Sequence, residues 1–302
     1  MNKKFLSLIH PRYWLTWLGL GILYVINKLP YKIQLKIGQY LGRCAFHLFK
    51  RFRHIARVNL SLCFPELSEA ARQILLRRHF ESLGMGVIES TMSYWTPSHK
   101  LAALIQVQGL EHLQEAQAKK RGTIVLSGHF TSLEICGRLF SNIFPMYVVY
   151  REQKNQIIDT LLKRHRNFQL MQPIHRHDIR QIIKALKKNA ALWYAADQDY
   201  GKTHSIFSPF FNISTATITT PSRYAKRSHA QALTLFYYRL PQGKGYQIII
   251  SPVLETFDEL TMPEASLYFN QLLEKAIRAY PEQYLWIHRR FKTRPVGENS
   301  FY

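Results

Sequence analysis

The chain of 302 residues is long enough for one large domain, with or without a helical extension, and for a sizeable core. Hydrophobic residues make up 47% of the sequence, which excludes a disordered protein. There are 41 lysine and arginine residues against 19 acidic ones, so the net charge of +22 predicts an anionic partner. Nucleic acid, an anionic membrane, a phosphorylated substrate and an acidic carrier protein all fit that charge. Three cysteines far apart, without a CxxC pair, favour neither a disulfide framework nor a zinc site.

The first element is an uncharged stretch, Tyr13–Asn27, which follows Lys3 and Lys4 and is closed by Lys28. It is shorter than the ~20 residues that a spanning helix needs. Its tryptophan and tyrosine residues are typical of a membrane interface, and flanking lysines can reach lipid headgroups. No small-residue cleavage site follows, which disfavours a signal peptide. The pattern predicts a retained membrane anchor over residues 1–30, spanning or interfacial; the alternative is a buried core helix.

The next region, residues 31–100, has apolar residues at helical spacing with basic residues between them. The stretch "CFPELS" interrupts this pattern at Pro65, and Ser68 is a candidate N-cap for the helix that follows. We therefore predict a helical annex over residues 31–100.

The remaining region, residues 101–302, alternates short apolar or β-branched runs with helical segments, which predicts an α/β domain. Asp178 is a candidate cap for one of these helices, and Pro281 ends the last one. The segment "PQGKGYQ" (241–247) predicts a hairpin turn between the last two strands. The predicted strands are 123–127, 146–150, 192–196, 232–238 and 246–250.

A histidine and an acid follow the first of these strands. Gly128 permits a sharp turn, so His129 falls at the carboxyl edge of the sheet, where ligands of open α/β sheets bind. Thr131 and Glu134 fit a capping box, which predicts the helix N-cap at Thr131. Because residues five apart on one helix point about 140° apart, His129 and Glu134 can meet only if His129 precedes the helix. Glu134 either only caps the helix or also holds His129 as a general base.

Other candidates offer different chemistry. Cys136 is a possible nucleophile for a Cys–His acyl-enzyme, and the alternative for it is a buried, unreactive thiol. Asp197 and Asp199 follow the third predicted strand at the same sheet edge, where they either form a turn or support the site. A basic cluster near the C-terminus is either a solvated face or a contact surface for an anion. Its members are Arg289, Arg290, Lys292 and Arg294.

The segment "GHFTSLE" (128–134) has the H-x4-E form of the H-x4-D/E signature of glycerolipid-type acyltransferases. The whole chain resembles one branch of that group, the late acyltransferases of lipid A biosynthesis, which add a secondary acyl chain to Kdo2-lipid IVA. H-x4-E by itself is a weak signature, but the other stretches, in this order, are highly specific. They are "HPRYWLTWLG" (10–19), "NLSLCFPELS" (59–68), "YREQKN" (150–155), "YAADQDYG" (194–201), "GKGYQ" (243–247) and "PEQYLWIHRRFKTRP" (281–295).

This resemblance implies a glycerol-3-phosphate-acyltransferase-like mixed sheet flanked by helices. It also implies that His129 is the general base and that Glu134 supports it. His129 would deprotonate the hydroxyl of a 3-hydroxyacyl chain of Kdo2-lipid IVA, and the oxygen would attack an acyl thioester on acyl carrier protein. The resemblance implies no cofactor, no metal and no covalent enzyme intermediate; acyl carrier protein is a co-substrate.

The family's motif arginine falls on Arg151, with Asn155 four residues later, and we expect Arg151 to contact an acceptor phosphate. Family members often have prolines where this chain has Glu152 and Gln156. The resemblance makes further residues candidate substrate contacts: Asp197, Asp199, Arg289 and Arg290.

The partners implied by the resemblance are acyl carrier protein, a lipid A precursor and the inner membrane of a Gram-negative bacterium, with the active site on the cytoplasmic side and without nucleic acid. The alternative from another class is a basic membrane-associated or nucleic-acid-binding protein without catalysis. RNP, KH and zinc-finger signatures are absent from the sequence, which disfavours nucleic-acid binding. Lauroyl is the first expectation for the acyl chain, with palmitoleoyl or myristoyl as alternatives.

Overall fold

The computed structural model of the protein describes residues 10–150, 152, 155, 157, 159, 160 and 171–302. Its α-helices are Trp14–Ile26, Tyr31–Leu48, Lys50–Cys63, Glu69–Trp95, Ser98–Ala102, Leu110–Ala118, Leu133–Phe140, Ile179–Lys187, Thr220–Ser228 and Met262–Ala279. Its strands are β1 (Ile105–Gln108), β2 (Thr123–Ser127), β3 (Met146–Tyr150), β4 (Met171–His175), β5 (Ala191–Ala195), β6 (Ser205–Phe210), β7 (Ile213–Ile218), β8 (Gln231–Arg239) and β9 (Tyr246–Ile250).

Seven strands form one mixed sheet in the order β1-β9-β8-β2-β5-β3-β4, and β6 and β7 form a separate antiparallel pair. All neighbours in the large sheet are parallel except β8 and β9. The predicted α/β class and the predicted hairpin between the last two strands are therefore confirmed. The parallel strands β2, β5 and β8 lie at the centre, so their carboxyl ends meet at one edge.

Four strands escaped the sequence analysis because they lack a continuous apolar run. The edge strand β1 has the sequence IQVQ with alternating exposure, and the other edge strand, β4, contains Pro173. The pair β6 and β7 is rich in serine and threonine. Of the five predicted strands, three match to the residue, whereas β5 begins and ends one residue earlier and β8 is one residue longer at each end.

The helix boundaries predicted at Pro65, Ser68 and Asp178 are confirmed. The Ser68 side chain accepts a hydrogen bond from the Ala71 amide at 3.2 Å, and the helix Lys50–Cys63 ends before Pro65. Asp178 caps its helix in the same way, accepting from the Gln181 amide at 3.0 Å.

Glycines bring the helices of the annex into backbone contact. A Cβ atom at Gly42 would lie 2.1 Å from the carbonyl oxygen of Phe80, so the helices Tyr31–Leu48 and Glu69–Trp95 meet at closer range than side chains allow. A Cβ atom at Gly86 would lie 2.4 Å from the carbonyl oxygen of Thr131. The long helix therefore packs directly against the turn after β2, and its buried residues belong to the same core as the sheet.

The N-terminal helix Trp14–Ile26 has 13 residues, none of them buried. Most of its apolar side chains face outward, with Leu15 85% exposed, and only Leu23 and Ile26 pack partly against the core, so the alternative of a buried core helix is wrong. The helix is attached at its C-terminal end, where Tyr24 packs edge-on against Trp95 at 5.4 Å between ring centroids. Within residues 10–150, 171–302 and the few described between them, no helix is both long enough and apolar enough to cross a membrane.

Candidate active site

Two neighbouring parallel strands bring a histidine and a carboxylate together. Ser127, the last residue of β2, pairs with Ala195, the last residue of β5. Two residues beyond each end lie His129 and Asp197. The Asp197 Oδ1 atom is 2.5 Å from His129 Nδ1, and its Oδ2 atom accepts a hydrogen bond from the His129 amide at 2.9 Å. One buried carboxylate therefore fixes both the ring and the backbone of His129.

The charges of this pair set its protonation state. Burial alone would lower the pKa of His129, but the Asp197 carboxylate outweighs that effect and raises it. Burial would raise the pKa of Asp197, but His129 outweighs it and lowers this pKa below the usual range. An ionised Asp197 accepts the Nδ1 proton, which leaves the lone pair of a neutral imidazole on Nε2. The His129 side chain is 23% exposed and Asp197 only 2%, so the histidine is the member that a substrate can reach.

The turn that carries His129 is clamped on both sides. The Tyr237 hydroxyl, on β8, donates to the carbonyl oxygen of Gly128 at 2.7 Å. On the other side, the Leu285 amide donates to the carbonyl oxygen of His129 at 3.0 Å, and the Thr131 amide donates to the carbonyl oxygen of Gln283 at 2.8 Å. A turn held in this way keeps the histidine in one orientation before a substrate binds.

A buried ion pair stands behind the turn. Arg239 donates to Glu89 Oε2 at 2.6 Å, and both side chains are almost fully buried. Arg239 also donates to the Ser82 hydroxyl at 3.0 Å, and that hydroxyl is 2.7 Å from the hydroxyl of Thr131. This network has no signature in the sequence, because Glu89 and Arg239 are 150 residues apart and match no short motif.

Comparison with known proteins identifies the family. A family model described as "Bacterial lipid A biosynthesis acyltransferase" matches residues 1–293. The chain is 42% identical to the lipid A biosynthesis palmitoleoyltransferase of Escherichia coli K12 over 97% of its own length and 96% of the relative. The chain belongs to the bacterial lipid A biosynthesis acyltransferases. It is also 42% identical to the lauroyltransferase of the same organism over 98% and 97% of the two chains. The E. coli K12 myristoyltransferase is 30% identical over 97% and 91%.

Within this lipid A acyltransferase, the acid of the H-x4-E motif does not have the position that the capping box predicted. The helix begins at Leu133, and its N-cap is Ser132, whose side chain makes no capping bond. The Thr131 amide is bound to Gln283 instead, so the predicted capping box is wrong. Glu134 lies in the first helical turn, and its charge contributes to the raised pKa of His129. The carboxylate bound to Nδ1 is that of Asp197.

The predicted nucleophile Cys136 has no access to substrate. Its side chain is fully buried, and burial raises the pKa of the thiol. Because the thiolate is the reactive form, this position favours the buried, unreactive interpretation.

Asp199 forms a turn and ties down the C-terminal segment. Its Oδ1 atom accepts from the Gly201 amide at 2.8 Å, and its Oδ2 atom accepts from the Thr293 amide at 2.7 Å. The Asp199 amide donates to His288 Nε2 at 3.1 Å. Burial lowers the pKa of His288 to about 4, which keeps that nitrogen an acceptor. The turn-forming interpretation of Asp199 agrees with these bonds, and its carboxylate faces protein donors.

Two of the four members of the predicted basic cluster are turned inward, whereas Lys292 is exposed. Arg290 is 1% exposed and donates to the carbonyl oxygen of Ala216 at 2.6 Å, so it does not belong to an exposed contact surface. Arg294 donates to the carbonyl oxygen of Ser214 at 2.6 Å. Burial of guanidinium groups against backbone carbonyls was hidden from the sequence, where the cluster looks solvated. Arg289 is half-buried, with its guanidinium over the ring of Tyr302.

Two predicted contacts follow β3. Arg151 lies outside the described residues. Asn155 donates from Nδ2 to the Thr16 hydroxyl at 3.2 Å, which joins this part of the sheet edge to the N-terminal helix. Since β3 runs parallel to β5, the N-terminal helix lies at the same edge as His129 and Asp197.

Proposed function

We propose that this lipid A acyltransferase moves a fatty acyl chain from acyl carrier protein to the hydroxyl of a 3-hydroxyacyl chain of Kdo2-lipid IVA, with His129 as general base. The observation that carries the proposal is the pairing of a partly exposed His129 with the buried Asp197 at the sheet edge. The family supports the reaction class, and the geometry of this pair supports His129 as the base.

The residues of the site account for each proton. Asp197 holds the proton of Nδ1, so Nε2 accepts the proton of the acceptor hydroxyl as its oxygen bonds to the thioester carbonyl carbon. The tetrahedral intermediate then expels the carrier thiolate, which takes the proton back from Nε2. Asp197 stabilises the imidazolium that forms between these two steps, and the same interaction raises the pKa of His129. General-base catalysis of this kind contributes roughly 10²- to 10⁴-fold in rate.

Glu134 supports the same step electrostatically. Its carboxylate stands in the first turn of the helix Leu133–Phe140 and raises the pKa of His129 together with Asp197. Two carboxylates thus stabilise the imidazolium, one through a direct bond to Nδ1 and one through its charge.

We place the N-terminal helix in the membrane interface. Its outward side chains include Trp14, Leu15 and Trp17, and the Lys28 ammonium lies 4.3 Å from the ring centroid of Tyr24. The bond between Asn155 and Thr16 joins this helix to the edge that holds His129. A lipid acceptor in the inner membrane would therefore enter beside the base, from the cytoplasmic side where the carrier protein is found.

Anionic groups of both substrates suit the charge of +22. The acceptor carries phosphates and sugar carboxylates, and the carrier protein carries acidic side chains. Long-range attraction to the basic enzyme therefore speeds the encounter with each of them. Contact of Arg151 with an acceptor phosphate remains a prediction.

Lauroyl is our first choice for the acyl chain, and palmitoleoyl the second. The equal identity of 42% to a lauroyltransferase and a palmitoleoyltransferase supports both choices. A mass spectrum of the product, after incubation with a mixed pool of acyl carrier protein thioesters, decides between them.

Washed membranes from cells that express the chain test the function. We expect acylation of Kdo2-lipid IVA only when an acyl carrier protein thioester is added. Absence of product with a correctly folded protein would favour the alternative of a non-catalytic basic protein, which nucleic-acid and vesicle binding would then distinguish.

A further inference from the structure

A groove of about 460 Å³ lies apart from the His129–Asp197 pair, between the annex helices and the β8–β9 turn. That volume is within the range of small-ligand sites. Three exposed cations line it, Lys32, Lys36 and Arg78, and apolar contacts come from Leu35 and Met85. Cations above an apolar floor suit an anionic group attached to a lipid.

The cations of the groove are not neutralised by its acids. Of the two glutamates in the lining, Glu81 is paired with Arg43 at 2.7 Å. Arg239 also lines the groove, but its charge is matched by Glu89 beneath it. None of the ion pairs between described residues includes Lys32, Lys36 or Arg78. Among the described residues that line the groove, these three cations therefore face one remaining carboxylate, that of Glu282.

The groove opens at the same edge of the sheet as His129. The Ser127 hydroxyl donates to the carbonyl oxygen of Leu235 at 2.7 Å, which places Leu235 level with the end of β2. Arg239, in the groove wall, is four residues further along β8, or about 13 Å at strand spacing. Ser82 and Gln283 also form this wall, and both bind the turn that carries His129.

We infer that the groove binds a phosphate group of the lipid acceptor while its hydroxyl reacts at His129. The inference rests on the proposed function, because it assigns one end of that reaction's acceptor. A phosphorylated sugar headgroup fits a concave site with an apolar floor, whereas a helix of an acidic protein is convex and would bridge the rim. The aliphatic part of Lys32 lies against the β8–β9 turn, since a Cβ atom at Gly243 would lie only 3.2 Å from its Cγ atom.

Steady-state kinetics with both substrates varied separately test the groove. We expect Arg78→Gln to raise the KM for Kdo2-lipid IVA by roughly two- to fivefold, as for one exposed charge contact, and Lys32→Gln/Lys36→Gln by roughly three- to tenfold, with kcat and the KM for acyl carrier protein unchanged. The matched control is Lys187→Gln/Lys188→Gln, which removes two exposed charges elsewhere. An unchanged acceptor KM, an equal change in the control, or a raised KM for the carrier protein instead would overturn the inference.

Binding of the acceptor without donor separates this inference from the proposed function. If the wild-type protein transfers no acyl group, the function fails, yet weaker binding of Kdo2-lipid IVA by the groove variants still supports the groove. Equal binding by wild type and variants refutes it. Inorganic phosphate and phosphatidylglycerol micelles are the competitors, and we expect both to displace the acceptor poorly. If phosphatidylglycerol displaced the bound acceptor as well as unlabelled acceptor does, the groove would be a general lipid contact. If inorganic phosphate did so, the groove would be a site for free anions. Either result would overturn the assignment.

Discussion

Replacing the carboxylate that holds the general base is the most informative single change. In Asp197→Asn the side chain keeps its shape but has one oxygen instead of two. The native carboxylate accepts from both the His129 amide and Nδ1. If the amide oxygen serves the backbone N–H, its NH2 group faces Nδ1 and moves the imidazole proton to Nε2. That tautomer cannot accept a proton from the acceptor hydroxyl.

The expected loss follows from these two contacts. A hydrogen bond to a charged group contributes about 1.5–3 kcal/mol and a neutral one about 0.5–1.5 kcal/mol, so losing the Nδ1 bond and weakening the amide bond costs about 2.5–4.5 kcal/mol. At about 1.4 kcal/mol per factor of ten, this predicts a fall in kcat of roughly 10²- to 10³-fold. The acidic limb of the pH–rate profile should also move to lower pH, because Asp197 is what raises the pKa of His129.

Asp199→Asn provides the matched control for this experiment. Asp199 is also buried and lies two residues away, but its bonds go to Gly201 and Thr293. We expect it to lose less than about tenfold in kcat and to keep the acidic limb of the wild type. If Asp197→Asn retained more than a tenth of the wild-type kcat with an unshifted acidic limb, the role derived for Asp197 would be refuted.

Three further predictions concern the thiol, the helix contact and the stability of the pair. Cys136→Ala should turn over within about twofold of wild type, because the thiol is buried; loss of turnover in a folded variant would restore the covalent route. Gly86→Ala should lower the Tm and reduce kcat by roughly 10- to 100-fold, because its Cβ atom would lie 2.4 Å from the carbonyl oxygen of Thr131. Gly19→Ala is the control and should change neither quantity, because its Cβ atom would meet nothing within 4 Å. Equal behaviour of the two variants would contradict the contact between Gly86 and the turn. The ionised Asp197 adds stability that is present above its unfolded pKa of 3.8 and lost as the pH falls through its lowered folded pKa. The protonated His129 adds stability that is complete below pH 6.5 and lost as the pH rises through its raised pKa. Urea unfolding should therefore show the largest advantage of wild type over Asp197→Asn between about pH 4 and 6.5, and a pH-independent difference would contradict the pairing.

The position of the base was readable from sequence because it depends on local features. A buried apolar run followed by Gly128 places His129 at the sheet edge, and that placement is what the structure has. The partner was harder to assign because it depends on which strands are neighbours. The adjacency of β2 and β5 follows from long-range packing that no local pattern records. Once that adjacency is known, His129 and Asp197 are expected to lie side by side, because each is two residues after the end of its strand.

Burial decided the remaining differences between prediction and structure. Arg290 and Arg294 look like a solvated basic patch in sequence, but their guanidinium groups bind carbonyl oxygens of β7. The T-x-x-E pattern at Thr131 fits a capping box, but the amide that Glu134 would cap is bound to Gln283. In both cases a distant segment of the chain satisfies the group, and tertiary contacts override the local rule.

The central claim is that His129 is the base for acyl transfer to a lipid A precursor, and one measurement tests it most directly. Purified wild type and His129→Ala are incubated with lauroyl-acyl carrier protein and Kdo2-lipid IVA, and the acceptor is followed by mass spectrometry. The account predicts addition of one lauroyl chain by wild type and at least a 10²-fold slower reaction in the folded variant. Acylation by His129→Ala at a rate near that of wild type would contradict it.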